Sequence, residues 1–125
     1  MPHLLLVMLG GAIGAGCRYG VGKVAAAQLG TGFPWGTLAV NLVGGFLAGA
    51  LVAALLGTGD RGEPLRLFLG VGLLGGFTTF SAFSAETADM LQRGQLALAG
   101  AYALSSVIGA VTMLFAGLWI ARAAS

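Results

Sequence analysis

Four long apolar segments fill almost the whole chain and constrain its fold more than any other feature. They cover residues 4–27, 35–56, 65–90 and 96–121. Each is close to or longer than the about 20 residues that a helix needs to cross a bilayer. The mean hydropathy of +0.95 and the 8% of charged residues are unlike those of a soluble domain. The sequence therefore predicts an all-α integral membrane protein, with four transmembrane helices in a single domain over residues 1–125.

A secretory signal peptide is the alternative for the first segment. Such a leader carries its positive charges before the apolar run. Here only His3 precedes the run, and Arg18 and Lys23 follow it. The order of the charges favours a first transmembrane helix.

The composition excludes several classes of function. With Cys17 as the single cysteine, the chain has neither an internal disulfide nor a thiol cluster for zinc or iron–sulfur. One histidine and four carboxylates are little material for acid–base catalysis, and we expect no enzyme because no nucleophile–base pair is visible. No basic run is present that could follow a phosphate backbone, so nucleic acid is not expected as a partner.

The positive charges are divided almost evenly between the two sides of a four-span bundle. One side carries Arg61, Arg66 and Arg122, and the other carries Lys23, Arg93 and, if it lies near the surface, Arg18. The positive-inside rule then selects no orientation, and we expect the chain to insert both ways. Such a chain can pair with an inverted copy of itself, and four spans are few to enclose a pore alone.

Small residues at close spacing predict tight packing of the helices. GxxxG spacing occurs at Gly10/Gly14, Gly16/Gly20, Gly45/Gly49 and Gly72/Gly76. Such pairs let helix backbones approach closely in lipid.

Polar residues recur on one face of the second and fourth segments. Thr37 and Asn41 share a face in the second, and Tyr102, Ser106 and Thr112 share one in the fourth. Polar residues inside a membrane often mark a pathway. The alternatives are an interhelical hydrogen bond for Asn41 and hydroxyls bonded back to their own helix for the serines.

The third segment contains the run GGFTTFSAFS, which is unusual for a helix facing lipid. Gly75 and Gly76 weaken the helix, and Phe77, Thr78 and Thr79 have low helix propensity. We predict a break between Gly75 and Thr79. The freed carbonyls could hold a cation, while the N-terminus of the second half would favour an anion.

Beyond this break, Phe80 and Phe83 lie three residues apart, as do Ser81 and Ser84. Aromatic ring edges carry partial positive charge, and hydroxyls donate hydrogen bonds. Neutral donors of this kind suit a small anion in a narrow pore, although aromatic rings at this spacing more often serve packing.

The remaining charges lie near the ends of the spans. Glu86, Asp89 and Arg18 could pair across the interface, and no carboxylate lies at the centre of a span. A small multidrug exporter of similar size is the main alternative function, and it would need such a central carboxylate. A purely structural bundle is a second alternative.

Three stretches resemble the Fluc (CrcB) family of fluoride channels. They are GGFTTFSAFS with Glu86 following it, GGAIGAGCRYG in the first span and GTLAVNLVGGFLAG in the second. The resemblance covers the whole chain. It implies an antiparallel, dual-topology homodimer in the lipid of the inner (plasma) membrane, with two pores that passively export fluoride from the cytoplasm and lower its toxicity.

The resemblance also implies roles for individual residues. Phe80 and Phe83 would contact fluoride through their ring edges. Asn41 would donate to the ion, with Ser81 and Thr37 as candidate hydroxyl contacts.

Further implied roles concern the ends of the pathway and the dimer centre. Tyr102 and Ser106 would extend the polar track, and Arg18 would attract anions at the aqueous entrance. A structural sodium ion would be held at the dimer centre by the carbonyls of Gly75 and Thr78 from both copies.

The chain departs from the family pattern at two positions. The family commonly has threonine where Ala82 stands here, and some members carry a hydroxyl in place of Ala110. The resemblance therefore implies a shorter polar track on that side.

Overall fold

The structure, a computed structural model, describes residues 2–124. Four helical spans follow one another, Pro2–Leu29, Trp35–Leu55, Gly59–Gln92 and Leu96–Ala124, and each is long and apolar enough to cross a membrane. Within residues 2–124 there is no β-strand. The predicted all-α membrane fold with four spans is confirmed.

Short connections end and restart the helices. After the third span, Gly94 adopts a φ of +77°, its N–H donates to the Leu91 carbonyl (3.1 Å), and the Gln95 N–H donates to Met90 (2.9 Å). This is a Schellman motif, which needs a left-handed residue and therefore favours glycine. It turns the chain sharply enough for the fourth span to begin at Leu96.

The third span is the irregular one. Its first half consists of a 3₁₀ turn (Gly59–Gly62), an α-helical turn (Glu63–Leu65), a π-helix (Arg66–Leu74) and a second α-helical turn (Gly75–Phe77). Thr78 and Thr79 are extended, with ψ of 159° and 123°, and the second half is the α-helix Phe80–Gln92. The predicted break is confirmed, and the π-helix before it was not predicted.

The first span packs against the first half of the third span through backbone. A Cβ added to Gly14 would overlap the Leu73 carbonyl and lie 2.8 Å from the Phe77 nitrogen. A Cβ on Gly76 would lie 2.5 Å from the Gly11 carbonyl. We call this contact the first seam; its close approach is possible only because glycine lacks a side chain.

A second seam joins the second and fourth spans. A Cβ on Gly45 would lie 2.7 Å from the Ala110 carbonyl, and a Cβ on Gly49 would overlap the Leu114 carbonyl. In contrast, a Cβ on Gly16 or Gly20 would meet nothing within 4 Å. The packing expected from the Gly16/Gly20 spacing is therefore not made within one chain.

The buried core is small and lies at one end of the bundle. Met90, Ala99 and Tyr102 form its centre. Large apolar side chains elsewhere are mostly exposed, for example Leu5 and Trp119, as expected where lipid is the solvent. The core is thus concentrated beside the polar residues of the second half of the third span.

Candidate functional site

The Asn41 side chain binds the backbone of the break in both directions. Its Nδ2 donates to the Thr79 carbonyl at 3.0 Å, and its Oδ1 accepts from the Thr79 N–H at 2.9 Å. This is the interhelical bond considered as an alternative from the sequence. The amide has a second N–H, so one donor remains for another partner.

The hydroxyls of the two threonines in the break each form a hydrogen bond with a different half of the third span. Thr78 Oγ1 donates to the Leu74 carbonyl at 2.9 Å, at the end of the first half. Thr79 Oγ1 accepts from the Ala82 N–H at 3.0 Å and so caps the N-terminus of the second half. Ser81 Oγ lies 3.3 Å from Thr79 Oγ1 and is exposed, beside the break.

Arg18 also binds the break. Its Nε donates to the Gly76 carbonyl at 3.0 Å. The expected pairing of Arg18 with Glu86 and Asp89 is wrong, because Asp89 pairs with Arg93 (3.1 Å) and Glu86 binds two hydroxyls. This carbonyl takes one of the five N–H groups of the guanidinium.

Glu86 connects three spans. Its carboxylate accepts from Thr37 Oγ1 of the second span and from the Tyr102 hydroxyl of the fourth, both at 3.0 Å. From the sequence, Glu86 is expected only near the end of a span, without a role in the site. Its position three residues after Phe83, on the same helix face, was the signal that could have found it.

A row of aromatic rings leads from Glu86 to the break. The Tyr102 ring centroid lies 5.2 Å from that of Phe83, which lies 5.7 Å from Phe80. Tyr102 is fully buried, whereas Phe80 is 78% exposed. The row thus runs from the core to the outer surface of the bundle.

An open groove of about 510 Å³ lies at the exposed end of this row. Six of the predicted site residues line it: Asn41, Gly75, Thr78, Phe80, Phe83 and Ser106. Ser106 is 6% exposed, and its buried hydroxyl has no hydrogen-bond partner among residues 2–124. A buried hydroxyl without a partner is costly unless something else binds it.

Two cavities approach Glu86 and the break from one end of the bundle. One of about 590 Å³ is lined by Glu86, Asp89 and Arg93, and a smaller one of about 240 Å³ by Arg18 and Lys23. Thr37 lines both cavities. The structure therefore places Thr37 and Tyr102 around Glu86, and Arg18 and Lys23 in the lining of the smaller cavity.

Carbonyl oxygens are the ligands at hand for a cation. Residues 2–124 contain no group of three or more His, Cys, Asp or Glu side chains that could hold a metal ion. Gly75 and Thr78 both line the open groove, with Gly75 exposed. Their carbonyls fit a monovalent cation, which accepts backbone oxygen ligands where a helix unwinds.

Comparison with known proteins shows the family of this chain. The model of the family described as CrcB-like protein, Camphor Resistance (CrcB), matches residues 5–118. A protein of Chelativorans sp. (strain BNC1), named "Fluoride-specific ion channel FluC", is 54% identical over 98% of both chains. Proteins of the same name from Sphingopyxis alaskensis (50%) and Caulobacter vibrioides (51%) match over 98% of this chain and 97% of their own length. The four-span chain with its broken third span belongs to the CrcB-like family.

Proposed function

We propose that this protein is a fluoride-selective channel that passively exports fluoride from the cytoplasm across the inner (plasma) membrane. The observation that carries the proposal is the unpartnered Ser106 hydroxyl in the same groove as Phe80, Phe83 and Asn41. These groups are neutral donors, and the relatives of about 50–54% identity are named fluoride channels. The protein moves an ion and is not an enzyme.

Neutral donors allow an anion to be bound and released. Ring edges and hydroxyls replace part of the water around a small anion without holding it as strongly as a lysine would. Asn41 keeps one N–H beyond its bond to Thr79. Fluoride in the groove would therefore contact Phe80, Phe83, Ser106 and this free N–H, with Ser81 as a further hydroxyl beside the break.

The outer part of the pathway passes Glu86. Arg18 lines one cavity together with Lys23, and their positive charges would attract anions there. Deeper, the Thr37 and Tyr102 hydroxyls both donate to Glu86, so an anion reaching them has to replace one of these bonds. The two hydroxyls can rotate from the carboxylate to the anion. They therefore donate to the ion while it passes and return to Glu86 afterwards.

The working unit is an antiparallel homodimer. Phe80 is 78% exposed, and the groove opens on the outside of a single chain. A second, inverted copy would close this groove and complete two equivalent pores. The nearly even charge on the two sides supports insertion in both orientations.

A structural sodium ion fits the centre of this dimer. Gly75 and Thr78 supply two carbonyls from each copy, in a part of the structure that lines the open groove. The cation would hold the two broken spans together and would offset the repulsion between two fluoride ions nearby.

Fluoride efflux from liposomes that contain the purified protein tests this function. We expect fast fluoride loss, little chloride loss, and loss of fluoride transport in Phe80→Ile and Ser106→Ala. Phe115→Ile is the matched control, because Phe115 packs near Trp119 at 5.6 Å, away from the groove. Fluoride retained by a folded wild-type dimer, or chloride lost equally fast, would show that the proposal is wrong.

A further inference from the structure

We propose that Asn41 and Arg18 are positioning residues that decide which carbonyls of the broken span are free for a cation. Between them, the two side chains bind the carbonyls of Gly76 and Thr79. The carbonyls of Gly75 and Thr78 are thereby left to the groove. This inference rests on the proposed function, since it concerns the sodium site of that dimer.

The acceptor half of the Asn41 amide frees the Gly75 carbonyl. In an unbroken α-helix, the Thr79 N–H would donate to the carbonyl four residues earlier, that of Gly75. Here that N–H donates to Asn41 Oδ1 at 2.9 Å. The side chain of the second span therefore removes the donor that Gly75 would otherwise have.

The Thr78 carbonyl loses its helical donor in a similar way. Its partner in an unbroken helix would be the Ala82 N–H. That group donates to Thr79 Oγ1 at 3.0 Å. Because Asn41 binds the Thr79 backbone on both sides, it holds Thr79 in the extended conformation (ψ 123°) that makes this cap possible.

Arg18 binds one of the two carbonyls that lie between those of Gly75 and Thr78. Gly76 would be bonded by the Phe80 N–H in an unbroken helix, and here it accepts from Arg18 Nε at 3.0 Å. The Leu74 carbonyl accepts from both the Thr78 N–H and the Thr78 hydroxyl, each at 2.9 Å. The carbonyls of Leu74 and Gly76 are thus bonded from within the chain.

The residues of the break do not all lie in the groove. Gly75 and Thr78 line the open groove together with Thr79, whose carbonyl Asn41 binds, whereas Gly76 does not line it. Gly76 instead packs on the first span, where a Cβ would lie 2.5 Å from the Gly11 carbonyl. Arg18 and Asn41 thus bind the carbonyls of Gly76 and Thr79 and leave those of Gly75 and Thr78 for the cation.

The sequence offers a selective probe of this arrangement. Thr78 and Thr79 are its only two consecutive threonines. Protein labelled with ¹³C-carbonyl, ¹⁵N-threonine gives one carbonyl–nitrogen correlation, between the Thr78 carbonyl and the Thr79 nitrogen. In lipid bilayers, solid-state NMR of this pair reports the proposed cation ligand and the hydrogen bond to Asn41 together.

For the wild type we expect the Thr78 carbonyl signal to shift when sodium chloride replaces N-methylglucamine chloride. In Asn41→Ala we expect the Thr79 nitrogen signal to move and the sodium response of Thr78 to be lost. Asn41→Asp keeps an acceptor for the Thr79 N–H, so it should keep the nitrogen signal and part of the sodium response. Arg18→Met should weaken that response without moving the Thr79 nitrogen.

Ser106→Ala is the matched control, because Ser106 lines the same groove and bonds none of these carbonyls. It should lose fluoride transport but keep the full sodium response. A sodium response that survives in Asn41→Ala, with the Thr79 nitrogen signal moved, would overturn the inference and leave the cation site standing.

Two other outcomes are also decisive. A wild type without any sodium response would remove the cation from the proposed function, and this inference with it, while fluoride efflux would still test the channel. If Asn41→Ala yields no folded protein, Arg18→Met decides: a sodium response equal to that of Ser106→Ala overturns the inference.

Discussion

The two halves of the third span are held in different ways. The first half meets the first span through backbone, where Gly14 and Gly76 leave no room for a Cβ. The second half is tied to the second and fourth spans by side-chain hydrogen bonds, chiefly those of Thr37 and Tyr102 to Glu86. Between them, Asn41 binds the extended Thr79.

This difference separates a fixed part from an exchangeable one. Backbone contacts at van der Waals distance have one arrangement, because any shift opens a void or creates an overlap. Hydrogen bonds from hydroxyls can be passed to another acceptor with little movement. The first half therefore acts as a scaffold, and the second half carries the groups that can respond to an ion.

The largest loss of stability is expected where an added Cβ overlaps the backbone of the first seam. Gly14→Ala places a Cβ on the Leu73 carbonyl, and we expect it to destabilise the protein by about 3 kcal/mol. Gly16→Ala is the control on the same helix, since a Cβ there meets nothing within 4 Å. That control should stabilise by about 1 kcal/mol through helix propensity. Unfolding in mixed detergent micelles measures the stability of both variants. Equal changes in stability would contradict the role of the first half as a scaffold.

A smaller loss is expected when one hydrogen bond of the second half is removed. Tyr102→Phe keeps the buried ring and removes one donor to Glu86, which should cost about 2 kcal/mol. Tyr19→Phe is the control, because Tyr19 is 68% exposed and makes no such bond. The same unfolding experiment applies. Equal unfolding free energies of the two variants would show that the hydrogen bond from Tyr102 to Glu86 does not stabilise the protein.

The N-cap of the second half, Thr79, should contribute still less to stability. Thr79→Val removes the acceptor for the Ala82 N–H and should cost about 1 kcal/mol, while Thr79→Ser should restore most of it. Thr87→Val is the control, since the Thr87 hydroxyl bonds back to Phe83 within its own helix at 2.8 Å. A cost for Thr87→Val equal to that of Thr79→Val would contradict the capping role.

The smallest effect is expected at the exposed end of the second half. Asp89 and Arg93 form an ion pair with side chains 56% and 68% exposed, and Asp89→Asn should cost about 0.4 kcal/mol. High salt should abolish this cost, because exposed pairs are screened. A larger cost that persists in high salt would mean that this pair, too, belongs to the hydrogen-bonded interior.

The number of spans and the break could be predicted from the sequence, because both depend on composition along the chain. The predicted second and fourth segments begin at the observed residues, Trp35 and Leu96. The π-helix Arg66–Leu74 could not be predicted, since its wider hydrogen bonding leaves no mark on apolar composition.

The contacts between the site residues were harder to predict from the sequence. Asn41 and the aromatic pair could be singled out from their residue types and spacing, and the structure places all three in the groove. The bonds of Thr37 and Tyr102 to Glu86, and of Arg18 to Gly76, depend on how three helices are rotated against one another. Local periodicity gives the face of each helix but not the partner that this face meets.

The glycine seams also limit how this protein can change over generations. Every single-base change in a glycine codon that changes the amino acid adds at least a Cβ, and at Gly14, Gly49 or Gly117 that atom overlaps a backbone carbonyl. A library of variants selected for fluoride resistance should therefore contain no substitutions at these positions. Gly16 and Gly100, where a Cβ has open space, should accept alanine and serine, so tolerance to mutation would trace the two seams residue by residue.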